Sequence, residues 1–229
     1  MSFEYLVNVS VDALVRLLNV ASTEETRYYL NGVHVRTRHR TEGVILEATN
    51  GHCLAVENDD AGEIVGDGSY IVARWTIAAV DKAAKAQARL WKAKRENMRV
   101  CISSTGFYFT HKGSTGKSPV YGVAPQTSCF IDGSFPEIER VIPRVTAENL
   151  GTKDAYSAEQ IAALSMSAPG ECKFYVLYSP GIGHPALVRF SGALNWFGVV
   201  MPCRVDAGST CHDPAWFSRP ETKGETKAA

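Results

Sequence analysis

Ala48-Thr-Asn-Gly-His-Cys-Leu-Ala-Val56 is the stretch from which the fold can be read. Asn50-Gly51 tolerates positive φ, so it reads as the turn of a hairpin joining strands at Val44–Ala48 and Cys53–Val56. Working back toward the N-terminus, Val7–Val20 reads as a short strand running into a helix. Ser10 is its expected N-cap, Asp12 lies in the first turn, and Leu14, Leu17 and Leu18 recur at helical spacing. Between helix and hairpin, Arg27–Arg36 is strand-like: Tyr29, Val33 and Val35 alternate with other residues, interrupted by Asn31-Gly32. The order is β-α-β-β-β.

Working forward, the same order recurs. Ser69–Val72 predicts a strand and Thr76–Arg95 a long helix, followed by strands at Arg99–Ser103, Gly106–His111 and Val120–Val123. A third copy follows a junction marked by Pro136 and Pro143. There Ala155-Tyr156 ends a strand, and Ser157 with Gln160 predicts a capping box opening a helix through Ser167. Pro169-Gly170 stops that helix, and strands are expected at Phe174–Tyr178, Ala186–Phe190 and Trp196–Met201. The expected fold class is α+β, with three βαβββ units. The residues after Asp206 are polar with little apolar pattern and read as a flexible tail, 207–229.

With 45% hydrophobic residues in 229, a sizeable core is available. Twenty-four basic residues balance 24 acidic ones, so net charge argues for no class of partner and only charge placement can. No run approaches the roughly 20 apolar residues of a membrane span, and the N-terminus MSFEYLVNVS has no leader pattern, so a cytoplasmic protein is expected. The six cysteines form no C-x-x-C pair and read as reduced. Cys203, Cys211 and His212 lack metal-ligand spacing, and no metal or other cofactor is expected.

Gly113–Ser118 resembles the end of a phosphate-binding loop, but His111 stands where its first glycine belongs and Pro119 blocks the helix that should follow. Glu24-Glu25 and Asp59-Asp60 read as solvated turns, and His184-Pro185 as a turn. No nucleophile or paired-carboxylate constellation is recognisable, so no catalytic residue is assigned and no enzyme is expected.

The hairpin stretch does not stand alone. Thr26–Val35 (TRYYLNGVHV), Ser134–Pro143 (SFPEIERVIP) and Val199–Val205 (VVMPCRV) accompany it in fixed order. Together they resemble the bacterial sliding clamp, the beta subunit of DNA polymerase III, over about residues 5 to 205, which implies the DNA-clamp fold, with antiparallel sheets outside and helices on one face. The resemblance implies that residues 1–143 correspond to the family's middle domain and 144–206 to the second half of its last domain. The first domain and the first half of the last are without counterpart. Cys53 stands where the family usually has arginine, and Cys203 where it usually has methionine.

Lys82, Lys85, Arg89 and Lys92 form one stripe of the long helix, with Ile77, Val80, Ala84, Ala88 and Trp91 on another face. Taken alone, the basic stripe is a solvated surface; the resemblance implies sequence-independent contact with duplex DNA, with Arg16 as a further candidate. The resemblance also implies a groove that docks linear peptides of DNA polymerases and clamp loaders. It places there Leu30, Thr49, Gly51, His52, Cys53, Leu54, Pro143, Val199, Met201, Pro202 and Cys203. Without the resemblance these residues read as core and hairpin. The function implied is a non-catalytic DNA replication processivity factor. The alternative is an interaction module that binds clamp partners without encircling DNA. Family rings contain twelve βαβββ units, so three per chain would need a homo-oligomer of four chains.

Overall fold

The computed structural model describes residues 5–38, 42–66, 68–91, 94–111, 121–123, 128–142, 154–170 and 174–203. The first unit comprises strand β1 (Val7–Ser10), helix α1 (Val11–Leu17), and strands β2 (Gly32–Thr37), β3 (Val44–Thr49) and β4 (Cys53–Asp59). A short strand, β5 (Glu63–Ile64), follows it. The second comprises β6 (Ser69–Ala73), α2 (Arg74–Trp91), β7 (Met98–Ile102), β8 (Gly106–His111) and β9 (Tyr121–Val123), again followed by a short strand, β10 (Phe130–Ile131). The third contains α3 (Ala158–Ser167), β11 (Tyr175–Tyr178), β12 (Ala186–Phe190) and β13 (Trp196–Val200). Its first strand is reduced to an isolated bridge between Ala155 and Cys203.

The first two units exchange their first strands. β1 lies in a five-stranded sheet, β5-β1-β7-β8-β9, whose other strands include all three that follow α2. β6 reciprocates by joining β2-β3-β4. That second sheet continues through β4 into the third unit, giving the order β10-β6-β2-β3-β4-β13-β12-β11. The β4–β13 register sets Leu54 opposite Val199 and Val56 opposite Phe197. Helices α1, α2 and α3 cover one continuous core, and α1 packs against both α2 and α3.

Alternation along the strands separates two faces. On β4, Cys53 and Ala55 point into the helix-covered core, while Leu54 and Val56 join a smaller cluster on the opposite face with Val199 and Ile138. On β13, Trp196 and Val200 enter the large core. Gly198 lets α3 approach: a Cβ there would lie 2.8 Å from Leu164 Cδ2 and 2.9 Å from Trp196 Cη2.

The structure differs from the sequence expectations at several points. Arg27–Leu30, expected as the start of a strand, is instead part of a 3-10 turn, Glu25–Leu30, that buries Leu30. Its aromatic composition suits a strand, but the chain is turning into β2. The hairpin pairs Thr49 with Leu54, so its connection is residues 50–53 rather than Asn50-Gly51 alone. Gly51 adopts φ 89° there, and Asn50 Oδ1 closes the turn by accepting from the backbone N–H groups of His52 and Cys53, both at 2.9 Å. The long helix is described from Arg74 to Trp91, and Arg95–Asn97, expected to continue toward its end, form a 3-10 turn. Asp59 is no solvated turn residue: it accepts from the N–H of Ser10 at 2.8 Å and pairs with Arg99 at 3.0 Å. Ser10 and Ser157 cap α1 and α3 as expected. The box at α3 is half formed, because Gln160 turns its carboxamide toward the hairpin.

Candidate functional site

A groove of about 220 Å³ opens where β4 meets β13, on the face away from the helices. Leu54 and Val199, opposite each other in the sheet, lie at its base, and Leu30 and Met201 contribute apolar walls. The hairpin adds Thr49, Gly51, His52 and Cys53. The remaining lining residues are Pro136, Glu137, Ile138 and Val141. The lining is mainly apolar, with Met201 left 39% exposed, which makes an adaptable surface for an apolar chain segment.

Hydrogen bonds hold each wall. Met201 N–H donates to His52 O at 2.9 Å, tying the end of β13 to the hairpin. Thr49 Oγ1 donates to Cys53 O at 2.7 Å and accepts from the Gly51 N–H at 3.1 Å. The Cys53 thiol donates to Gln160 Oε1 at 2.9 Å, and Asn50 Nδ2 donates to the same oxygen at 3.0 Å. The hairpin is thereby anchored to α3. Burial pushes the Cys53 thiol up to about 12, partly opposed by the Asn50 hydrogen bond, so the sulfur stays protonated and unreactive at neutral pH.

The Pro136–Val141 wall is anchored over a longer distance. A 3-10 turn at Ile138–Arg140 buries Ile138. Arg36 bridges the turn to the sheet, donating to Glu139 Oε1 at 3.1 Å and to buried Glu47 Oε1 at 2.6 Å. Glu47 Oε2 lies 2.9 Å from His34 Nδ1, and the His34 ring stacks on Phe135 with centroids 4.6 Å apart.

Of the groove residues expected from sequence, Leu30, Thr49, Gly51, His52, Cys53, Leu54, Val199 and Met201 converge on this one site. Pro202 and Cys203 do not line it. The chain leaves the groove after Met201, and Cys203 N–H donates to Ala155 O at 2.8 Å. Pro143 lies outside the described residues. Pro136, Ile138 and Val141 were missed, although they lie within SFPEIERVIP, one of the runs that carry the family resemblance.

On the opposite face, α2 buries Thr76, Ile77, Val80, Ala84 and Gln87 and exposes Lys82, Lys85 and Arg89. Lys85 Nζ lies 2.6 Å from Asp81 Oδ2, so its charge is shared; Lys82 and Arg89 have no ion pair among the described residues. Lys92 lies outside the described residues.

Arg16 is not on this surface. Its guanidinium donates to both oxygens of Glu57, at 2.6 and 2.8 Å, to Asp12, and to Ser167 O at 3.4 Å. It stitches α1 to β4 and α3, a role hidden from helical periodicity because Glu57 comes from a distant strand. Burial raises the Glu57 carboxyl to about 7, with Arg16 pulling it back down.

The model of the DNA polymerase III beta subunit, central domain, matches residues 8–137. Beta sliding clamps from two strains of Caulobacter vibrioides are each 33% identical over 180 residues, 74% of this chain and 44% of the relative. The chain therefore aligns with less than half the length of these curated relatives. Among solved structures, a sliding clamp (DNA polymerase III subunit beta) from Bartonella birtlesii bound to griselimycin superposes with TM-score 0.63 at 19% identity. That match covers 90% of this chain and 68% of that one. The Caulobacter crescentus beta sliding clamp with PEG bound gives TM-score 0.60 at 24% identity, covering 90% and 67%. At these identities the superpositions speak to the fold alone.

Proposed function

Because the chain belongs to the DNA polymerase III beta subunit family, the bacterial sliding clamps, we propose that it is a non-catalytic, clamp-type replication factor of the cytoplasm. In this reading Lys82, Lys85 and Arg89 face duplex DNA. They attract phosphates without reading bases, so the protein is held on DNA yet free to move along it. The groove docks short linear peptides of DNA polymerases and clamp loaders, their apolar side chains seated between Leu54, Val199, Ile138 and Met201. Arg16 is left out of the DNA surface because its guanidinium is turned inward onto Glu57, Asp12 and the Ser167 carbonyl.

The observation that carries the reading is the two-sidedness of the molecule: a cationic helix on one face of the sheets and an apolar groove on the other. Such a body can hold DNA and a partner together without competition. A fluorescently labelled polymerase-type clamp peptide is expected to bind the protein, and Met201→Asp to abolish binding by placing a charge in the apolar wall. Equal binding to both proteins, or none to the wild type, overturns the groove assignment.

A second reading, an interaction module that captures clamp partners without encircling DNA, is favoured by one feature. Residues 143–153 are too few to form a βαβββ unit between the second and third units. Salt-dependent retention on closed circular duplex that is lost on linearisation separates encirclement from this second reading.

A further inference from the structure

We propose that the third unit is half of a domain which a second copy of this chain completes, by a two-fold exchange of first strands. The first two units supply the template. In each, the first strand has two neighbours. One is the short strand that closes its own unit, and the other is the post-helix strand of the opposite unit. Thus β1 lies between β5 and β7, and β6 between β10 and β2.

The third unit reproduces the first half of this arrangement. Cys203, following β13, bridges Ala155 as β5 pairs with β1 and β10 with β6. The second half is unmatched. Among the described residues, β11 is the terminal strand of the eight-stranded sheet, whereas its counterparts β2 and β7 each accept an antiparallel strand from the other unit. Ala155, on the strand that would be donated in return, is exposed.

The side chains agree with the backbone. Leu164 and Ser167 bury one face of α3. The other face, with Ala158, Ile161, Ala162 and Ser165, lines an open groove of about 320 Å³ beside Phe174 and Tyr175. Phe174, Tyr175 and Val176 are 65%, 46% and 44% exposed. In the first domain the corresponding space beside α1 is filled by α2. An uncharged apolar edge strand with small residues on the neighbouring helix is a surface that soluble proteins normally cover.

A second copy fits because the requirement is self-complementary. β11 lacks an antiparallel strand that precedes a capped helix, and the same unit carries such a strand immediately before Ser157 and α3. One two-fold operation satisfies both copies, as an isologous interface requires. The template also gives the register. Ser10, the cap of α1, sits opposite Arg99, the second residue of β7. In the other exchange Ala73, the residue before α2, sits opposite Gly32, the first residue of β2, so, transposed, Ser157 of one copy lies opposite Tyr175 or Val176 of the other. The inference depends on neither DNA nor peptide binding.

Light scattering over a dilution series tests it. The full chain is expected to have twice the chain mass, or an even multiple, at high micromolar concentration, and to dissociate on dilution. Amide exchange at residues 175–178 is expected to slow as concentration rises, while exchange in β13 stays constant. Ala162→Arg, at an exposed position in the groove, is expected to halve the mass with an unchanged circular-dichroism spectrum. A wild type that stays monomeric at the highest concentration overturns the proposal. So does an oligomer whose mass Ala162→Arg leaves unchanged and whose 175–178 amides exchange independently of concentration.

Discussion

Removing cations from α2 gives the sharpest quantitative expectation for the DNA-facing surface. Each phosphate neutralised by a side chain contributes about 0.9 to the slope of log affinity against log salt on duplex DNA. Lys82 and Arg89 are exposed without an ion pair among the described residues, whereas Lys85 already sits 2.6 Å from Asp81. Lys82 and Arg89 together should therefore carry a slope of about 1.8 per chain, and a fourfold rise in salt should cost about 12-fold in affinity through them. If Lys85 exchanges Asp81 for a phosphate, the slope rises to about 2.7 and the loss to about 40-fold. Lys82→Ala with Arg89→Ala should lower the per-chain slope by about 1.8, equally for unrelated duplex sequences. Asp81→Asn should raise affinity by releasing Lys85. Fluorescence anisotropy with a labelled duplex at several salt concentrations measures all of these. A slope unchanged by the double substitution, or wild-type binding insensitive to salt, refutes the assignment of this face to DNA.

Three other outcomes follow from the packing and the buried ionisable groups. Gly198→Ala should destabilise the protein by about 1–3 kcal/mol in urea unfolding, because the new Cβ meets Leu164 and Trp196 at 2.8 and 2.9 Å; a neutral result contradicts the close seat of α3 on β13. Glu57 titrates near 7 in the fold against 4.5 ordinarily, so the folded state binds the extra proton. Stability relative to Glu57→Gln should then rise by about 2 kcal/mol as pH falls from 8 toward 5; an NMR midpoint at or below 4.5 would mean that the bidentate Arg16 pair outweighs burial. Cys53, its thiol held protonated to about 12, should resist alkylation of the native protein at pH 8 while exposed Cys203 reacts; mass spectrometry showing the reverse order contradicts the buried hydrogen-bonded thiol.

The groove was placed by the family resemblance of a few short runs, whose local meaning alone gave only a turn and apolar strands. Asn50-Gly51 announced a turn, and Leu54 and Val199 sit in apolar strands that pair with each other. What the sequence hid was long-range or aperiodic. A single 3-10 turn has no repeat to detect, so Ile138 and Val141 were not seen as groove wall, although an Arg36–Glu139 bridge fixes that turn to the sheet. Arg16 shares helical spacing with surface residues, yet Glu57 and Asp12 draw it inward. The three βαβββ units were visible as recurring strand and helix patterns. The exchange of β1 and β6 was not, since strand partners across units depend on packing rather than on any local residue pattern.

The central claim is that the protein presents DNA contacts on its helical face and a peptide groove on the opposite face. Titrating a labelled polymerase-type peptide into the protein, free and saturated with duplex DNA, tests that claim directly. The account predicts equal peptide affinity in the two states, within about twofold, with Met201→Asp abolishing both. Displacement of the peptide by DNA would contradict it, as would peptide binding indifferent to Met201→Asp.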